Sequence, residues 1–272
     1  MKNSLYPILS IAKFERKILM RSWFFRIFAI LSLVFIGFYS GVTLFERGPF
    51  TWAFRSLPSA VIYSNFFLLN IVQSVIAVFM ATDFIKRDKK LDTSEVLFIR
   101  PMSNAEYLAG KTIGLLSVFV LLNLLLMLLT SVFLFVSVQV PFRIVPMLAY
   151  FFLISIPSLV FITGLSFALM SLIRNQAITF ILLLGYIALV LFYLGDKAGY
   201  LFDYLVFAMP VPFSDLIGFS DPLYFMGQRL AYLFLGLALI SFTARNLGRI
   251  PNAVGNPLIL SLLAGFFFIL SG

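Results

Sequence analysis

The residues best suited to nucleotide chemistry lie in segment 105–112, which reads Ala-Glu-Tyr-Leu-Ala-Gly-Lys-Thr. Gly110, Lys111 and Thr112 match the end of a phosphate-binding loop, in which backbone N–H groups and a lysine hold the phosphates. Ala105, however, stands where such a loop has its first glycine, and the segment opens a long apolar run instead of following a strand. A phosphate-binding loop needs the strand–loop–helix turn. We therefore expect that this chain binds no nucleotide and is not itself an ATPase.

The chain contains no histidine and no cysteine, which removes most kinds of catalytic and metal site. Thiolate–imidazole metal sites, Ser-His-Asp triads and Cys–His pairs all need one of these residues. Asp203, Asp215 and Asp221 remain as candidate calcium ligands, but their spacing fits no ion-binding loop. We expect no metal and no cofactor.

The charged segment 83–111 contains signals for two helix starts. Residues 92–95 (Asp-Thr-Ser-Glu) resemble a capping box, and residues 103–106 (Ser-Asn-Ala-Glu) match one fully. Pro101 forbids a continuous helix between the two signals and favours an extended backbone at Arg100. The segment is therefore predicted to contain a break between helices.

These signals predict a short helix at about 93–99, between a helix that runs to about Lys90 and another that starts at residue 104. The short helix carries four consecutive apolar residues, 96–99, which cannot all face one side. Some of them must meet lipid headgroups or a partner protein. We interpret the short helix as a docking element.

The composition of the chain is that of a polytopic membrane protein. Of its 272 residues, 62% are hydrophobic and 11% are charged, and a soluble domain could not cover its surface with so few charges. We expect an all-helical fold with six or seven spans, because about 20 apolar residues cross a bilayer. The six clear spans lie at about 24–45, 59–81, 112–138, 147–172, 178–195 and 228–244.

Both ends of the chain carry features outside these spans. Residues 4–21 are too charged to span, and their apolar residues recur at helical spacing opposite Lys13, Arg16 and Lys17. We expect an interfacial amphipathic helix bound to anionic membrane lipids, with an ordinary cytoplasmic tail as the alternative. Segment 251–272 is a linker followed by an apolar stretch that reaches only about 24 Å as a helix. It is either a marginal seventh span or the start of a further segment of a longer polypeptide, and we favour the longer polypeptide.

The distribution of Lys and Arg predicts the orientation of the chain. Segments on the side of the N-terminus carry 15 of the 20 basic residues, and segments on the other side carry five. The positive-inside rule then places the N-terminus in the cytoplasm. Because the basic residues flank spans, the net charge of +9 needs no nucleic acid to explain it.

Segment 196–226, between the fifth and sixth spans, is expected on the outer side. Pro210 and Pro212 break any helix there, and aromatic residues stand beside them. This combination suits a hairpin that re-enters the outer leaflet, with an ordinary surface loop as the alternative.

The spans contain mild polar residues in place of charges. No Asp, Glu, Lys or Arg lies within the cores of the second to sixth spans, so a charge relay of the kind that ion-coupled pumps use is not expected. Asn70, Ser74 and Ala77 fall on one helical face of the second span, and Gly164 belongs to a similar face of the fourth. Such residues let helices approach closely. The two faces could pack within the chain, or they could serve a dimer contact or a substrate pathway.

The order of residues in the charged segment resembles that in the permease subunits of type-2 ABC exporters. An acidic and basic run is followed by Thr-Ser-Glu, four apolar residues, Arg-Pro-x-Ser, and Glu-Tyr-Leu-x-Gly-Lys at the opening of a span. An interfacial N-terminal helix, six spans and a re-entrant outer segment are also features of that family. The resemblance covers about residues 5–250, the expected permease domain, and the apolar tail after residue 250 departs from it.

The resemblance implies that the short loop helix is a coupling helix that docks on an ABC ATPase, carried by a separate chain or domain. The chain would be an exporter permease for a lipophilic or amphipathic substrate in the cytoplasmic membrane of a prokaryote. It would work as a homodimer, a heterodimer or a fused pseudo-dimer. The implied coupling residues are Asp92, Thr93, Glu95, Leu97, Phe98, Arg100 and Pro101.

The alternative function is a membrane scaffold or anchor that transports nothing. It would use residues 92–100 to dock a cytoplasmic partner. Neither function involves nucleic acid.

Overall fold

The computed structural model describes residues 5–45, 58–90, 102–137, 142–209, 213–214, 218–219 and 221–247. Within these ranges the chain is all-helical and forms no strand beyond one isolated bridge between Ser214 and Gly218, which confirms the predicted fold class. Six helices are long and apolar enough to cross a membrane, so the chain is a multi-pass membrane protein. The tail at 251–272, which was expected to be a seventh span or a further segment, lies outside the described residues.

The helices are α1 (Leu5–Arg21), α2 (Trp23–Phe45), α3 (Pro58–Lys90), α4 (Asn104–Ser137), α5 (Ile144–Ile173), α6 (Gln176–Leu194) and α7 (Pro222–Asn246). Helices α2 to α7 correspond in order to the six spans expected from the sequence. Helix α1 is separated from α2 by Ser22, whose N–H donates to the carbonyls of Ile18 and Leu19 at 3.1 Å. A short 3₁₀ turn, Lys197–Tyr200, follows α6.

The helices on either side of the charged loop end and begin where the sequence predicts. Helix α3 runs to Lys90 and α4 begins at Asn104. The capping box is formed in both directions, because the N–H of Ser103 donates to the Glu106 carboxylate at 2.9 Å and the N–H of Glu106 donates to the Ser103 hydroxyl at 3.1 Å. The short helix expected at 93–99 and the seven expected coupling residues lie outside the described residues.

Helix α5 departs from regular geometry beside its proline. A π turn covers Phe151–Ser155, just before Pro157. Proline has no N–H for the carbonyl one turn earlier, and its ring crowds that carbonyl, so the helix widens there. The backbone of α5 therefore accommodates Pro157 through a π turn.

A tight turn at residues 174–176 joins α5 to α6. Arg174 adopts a left-handed conformation with φ 56° and ends α5. The Asn175 side chain then caps α6, accepting hydrogen bonds from the N–H groups of Ala177 and Ile178 at 3.1 and 3.3 Å.

Helices α3 and α5 form the centre of the bundle. In the most apolar stretch of each helix, 67% of the residues of α3 and 61% of those of α5 are buried, against 28% in α2 and 22% in α6. The polar side chains of α3 therefore face other helices of the same chain, whereas α2 and α6 present wide apolar faces to the surroundings.

Helices α5 and α7 touch through their backbones. A Cβ atom added to Gly164 would lie 2.5 Å from the carbonyl oxygen of Gly236, and one added to Gly236 would lie 2.7 Å from the backbone of Val160 and Phe161. Gly164, one of the residues expected in helix packing, thus lies at a contact that a larger side chain would open.

Candidate functional site

A non-helical stretch of backbone lies among the helices at the end of the bundle where α3 and α7 begin. We call residues 199–209 the inserted segment. Its central residues 203–206 are fully buried. Tyr200 and Val206 are left-handed, with φ 67° and 60°. Such a conformation costs a non-glycine residue about 1–3 kcal/mol.

Side chains from the surrounding helices hold the carbonyls of the inserted segment. Every carbonyl from residue 199 to residue 206 accepts a hydrogen bond, and only that of Phe202 is held by the backbone alone. The donors are Tyr63 and Asn70 of α3, Ser158 of α5, and Tyr224, Gln228, Arg229 and Tyr232 of α7. Non-helical backbone lies among membrane-spanning helices only where its polar groups are satisfied within the protein.

Arg229 is the central donor, and its side chain is fully buried. Its two terminal nitrogens donate to the carbonyl of Tyr204 at 2.9 Å and to the carbonyl of Asp203 at 2.7 Å. One of them also donates to the Gln228 side chain at 2.8 Å, and the guanidinium lies 5.1 Å from the ring centre of Tyr232. The Nε atom has no hydrogen-bond partner among the described residues.

Asp203 supplies the negative charge of the inserted segment. Its buried carboxylate accepts hydrogen bonds from the N–H groups of Phe207, Ala208 and Met209 at 2.9, 2.8 and 3.1 Å. These bonds close the segment into a compact turn. The carboxylate also interacts electrostatically with the buried cation of Arg229 and offsets part of its charge.

Asn70, predicted from its helical face, joins the inserted segment to the core of the bundle. Its amide nitrogen donates to the Ser158 hydroxyl at 3.1 Å and to the Leu205 carbonyl at 3.2 Å. The Ser158 hydroxyl donates in turn to the Tyr204 carbonyl at 2.5 Å, and the Ser74 hydroxyl donates to the Asn70 carbonyl at 2.7 Å. Asn70, Ser74 and Ala77 are all fully buried inside the chain.

Amide side chains extend this polar contact along α3. The Gln73 amide donates to the Asn70 side chain at 2.9 Å and accepts a hydrogen bond from Asn123 of α4 at 2.8 Å. One turn or so earlier, the Asn65 amide donates to Ser40 of α2 at 2.9 Å and to Thr130 of α4 at 3.1 Å. These contacts fix the relative positions of α2, α3 and α4, because in an apolar interior a shifted helix would leave its amides unpaired.

At the opposite end of the bundle, α1 is held tightly against the start of α4. Lys111 and Glu15 form an ion pair of 2.8 Å, with side chains 5% and 4% exposed. Added Cβ atoms at Gly110 and Gly114 would lie 2.7 Å from Ile11 and 2.6 Å from Glu15, respectively. The residues that match the end of a phosphate-binding loop therefore lie inside a helix and pack against α1.

The role of α7 was not predicted from the sequence. Arg229 was counted among the basic residues that flank spans, and Asp203 was considered as a calcium ligand. A usable signal was present, because Tyr224, Gln228 and Tyr232 recur four residues apart and so form a polar stripe on an otherwise apolar helix.

Two of the three aspartates considered for calcium hold hydrogen bonds of the backbone. Asp221 caps α7 by accepting a hydrogen bond from the N–H of Tyr224 at 3.2 Å, Asp203 lies in the inserted segment, and Asp215 lies outside the described residues. In the described part of the chain no group of three acidic, histidine or cysteine residues is arranged to hold a metal.

Comparison with known proteins gives no relative from which a role could be transferred. No protein-family model matches the chain, and no curated protein matches it.

Proposed function

We propose that this chain is the permease component of an ATP-driven ABC exporter, which moves a lipophilic or amphipathic substrate using a separate ATPase. The observation that carries the proposal is the charged loop. Its residue order resembles that of type-2 ABC exporter permeases, and it lies between a helix that ends at Lys90 and a capped helix that begins at Asn104. The partner ATPase would dock on residues 92–100.

The polar chemistry of the bundle supports an external source of energy. The buried side chains along the middle of α3 are amides and hydroxyls, such as Asn70, Gln73 and Ser74. Buried charges lie at the two ends, in the Glu15–Lys111 pair and around Arg229. Charges placed in this way do not form a relay along the described bundle, so proton or ion coupling is not favoured.

The contacts at the loop end of the bundle suggest a route for coupling. Helix α4 begins just after the loop and is joined to α1 by the Lys111–Glu15 pair. The Asn104 side chain also donates to the carbonyl of Leu247, which follows α7, at 2.6 Å. A displacement of the loop would therefore be passed to α1 and α7 as well as to α3 and α4.

We further propose that two copies, or two halves, meet along α2 and α6, the helices with wide exposed apolar faces. Phe38 of α2 is 71% exposed and Phe192 of α6 is 88% exposed. The Asn70, Ser74 and Ala77 face is filled by contacts within the chain, so the proposed contact uses α2 and α6. The proposed location is the cytoplasmic membrane of a prokaryote, with the N-terminus in the cytoplasm and α1 near anionic lipids.

The Phe98→Asp variant tests the exporter proposal. Burial of Phe98 in a groove on the ATPase would contribute about 1.5–3 kcal/mol to docking, and an aspartate would lose this contribution and bring an unpaired charge into the groove. The separate ATPase encoded beside this chain should be lost on purification, and transport into proteoliposomes should stop.

The matched control for this experiment is Glu95→Gln in the same loop. It should weaken docking by about 1 kcal/mol or less, as for an exposed ion pair. Normal ATPase binding and transport by Phe98→Asp would contradict the proposal. An ATPase that binds through this loop and hydrolyses ATP while no amphiphile moves would identify the chain as a scaffold instead.

A further inference from the structure

The inserted segment occupies a space whose wall consists of hydrogen-bond donors. The seven side chains that hold its carbonyls are two amides, three phenols, one hydroxyl and one guanidinium, all aimed at acceptor oxygens. Another group rich in acceptor oxygens could satisfy the same donors. These donors could therefore bind a ligand rich in acceptor oxygens in place of the segment.

The charge of this wall limits what could replace the segment. Arg229 is fully buried, and the acidic side chain that interacts electrostatically with it is that of Asp203, which belongs to the segment and would leave with it. A buried cation without a counter-charge is strongly disfavoured. The Nε atom of Arg229 also has no hydrogen-bond partner among the described residues. A replacement would therefore have to be an anion.

The bound conformation of the segment is strained at two residues, one before its buried part and one at the end of that part. Tyr200 and the β-branched Val206 both have positive φ, a conformation in which bulky residues are rarely found and which persists only when the surroundings enforce it. Withdrawal of the segment would release this strain. The strain lowers the free-energy difference between the inserted and the withdrawn state. A ligand can therefore shift the equilibrium between the two states.

The outer surface of the segment is apolar. Leu201, Phe202 and Phe207 are 55%, 42% and 48% exposed. The segment therefore borders the apolar surroundings of the bundle on one side and the donor wall on the other. A molecule that displaced it would have an oxygen-rich headgroup against the wall and a hydrocarbon chain outside.

We propose that residues 199–209 form a displaceable plug, and that the donor wall behind it binds the anionic, oxygen-rich headgroup of an amphiphile. The proposal rests on the proposed transport function and narrows its substrate class from any lipophilic molecule to an anionic amphiphile. Arg229 would bind the headgroup anion, while Asp203 would hold the plug in place when no ligand is bound.

Hydrogen exchange on the purified chain, without any ATPase, tests the proposal. The amides of Phe207, Ala208 and Met209 report directly on the plug, because they are bonded to Asp203. A short-chain phosphatidylglycerol should speed their exchange by about tenfold or more as the plug opens. Phosphatidylcholine and inorganic phosphate at the same concentration should leave them protected.

Two variants should move the affinity for phosphatidylglycerol in opposite directions. Arg229→Gln removes the cation and should lower the affinity about tenfold, whereas Asp203→Asn weakens the plug and should raise it by a similar factor. The matched control is Asp221→Asn, which alters a carboxylate at the exposed start of α7. It should leave the affinity for phosphatidylglycerol unchanged. If Arg229→Gln does not fold, the proposal is tested by Asp203→Asn and by a variant in which the plug is cross-linked to α3.

The plug can be locked because the chain contains no cysteine. The rings of Phe67 and Phe207 are stacked with centres 5.1 Å apart and lie outside the donor set. A Phe67→Cys, Phe207→Cys variant joined by a short bifunctional thiol reagent should lose the response to phosphatidylglycerol and regain it when the cross-link is cleaved.

Three results would overturn the proposal: equal exchange with both lipids, a lower affinity in Asp203→Asn, or a full response of the locked chain. An equal response to inorganic phosphate would overturn the assignment to an amphiphile. Because neither ATP nor a partner takes part, these results are separate from a failure of the exporter proposal, which the Phe98→Asp variant tests.

Discussion

Lys111 Nζ lies 2.8 Å from Glu15 Oε2 in a buried contact that joins the N-terminal helix to the start of α4. The contact depends on Gly110 and Gly114, which bring the two backbones together on either side of the lysine. Gly110 faces Ile11 and Gly114 faces Glu15, so residue numbers increase in the same direction along both helices. Helices α1 and α4 are therefore parallel here.

Loss of one partner of this pair should release α1. Glu15→Gln or Lys111→Gln removes one charge of a buried ion pair, at a cost on the order of 3–5 kcal/mol. Hydrogen exchange in α1 should rise sharply while the amides of α3 and α5 stay protected. The exchanged pair Glu15→Lys, Lys111→Glu should restore part of the protection, and Lys17→Gln, which alters an exposed residue, should have little effect. Equal exchange in Glu15→Gln and Lys17→Gln would show that the pair does not hold α1.

The contact between α5 and α7 should tolerate no added side-chain atom. Gly164→Ala places a Cβ 2.5 Å from the Gly236 carbonyl oxygen, and the helices must separate, which costs about 1–3 kcal/mol. Gly185→Ala in α6 is the matched control, because a Cβ there meets nothing within 4 Å. It should be neutral or stabilise the helix by up to about 1 kcal/mol. Denaturant titration in detergent micelles measures both, and equal midpoints would contradict the close contact.

Local signals predicted the helix boundaries well, because each depends on neighbouring residues. The capping box of Ser103 and Glu106 needs only three residues of spacing, and it marks the start of α4 correctly. The face of α3 that holds Asn70 and Ser74 was also visible from helical spacing. The partners of that face were not, since Ser158 and Leu205 are distant in sequence and meet Asn70 only in the folded chain.

The role of Arg229 shows the limit of such reasoning. An arginine near the end of an apolar run ordinarily lies at the membrane interface, and the charge count treats it so. Its partners are the carbonyls of Asp203 and Tyr204, which carry no side-chain signal in the sequence. Gly110 was ambiguous for a different reason, because glycine next to lysine suits both a phosphate-binding loop and a close helix contact.

The predicted orientation leads to a labelling experiment on single cysteines, which the cysteine-free sequence makes simple. Because 15 of the 20 basic residues lie on the N-terminal side, the positive-inside rule places Ser94 and Asn175 in the cytoplasm. Cysteines there should be shielded from an impermeant thiol reagent in intact cells. Cysteines at Thr51 and Ser214 should react, and all four should react after the cells are opened. Labelling of Ser94→Cys in sealed cells would reverse the orientation.

The proposed association of two copies makes a prediction that distinguishes α2 from α3. Helix α2 carries a stripe of exposed residues at intervals of three or four, Ile27, Ile30, Val34 and Phe38. Lipid or a second copy could cover such a stripe, because either one keeps it from water. If a second copy covers it, single cysteines along the stripe should cross-link between chains with helical periodicity.

Ser74→Cys on α3 is the matched control for this experiment, because Ser74 is fully buried within one chain. It should give no cross-link between chains, although it belongs to the small polar face that could have served a dimer. Cross-links from Ser74→Cys and none from α2 would place the contact on α3 and require the chain to open. If neither helix gives cross-links, and single copies in nanodiscs remain active with the ATPase, the apolar stripe of α2 faces lipid and the chain works alone.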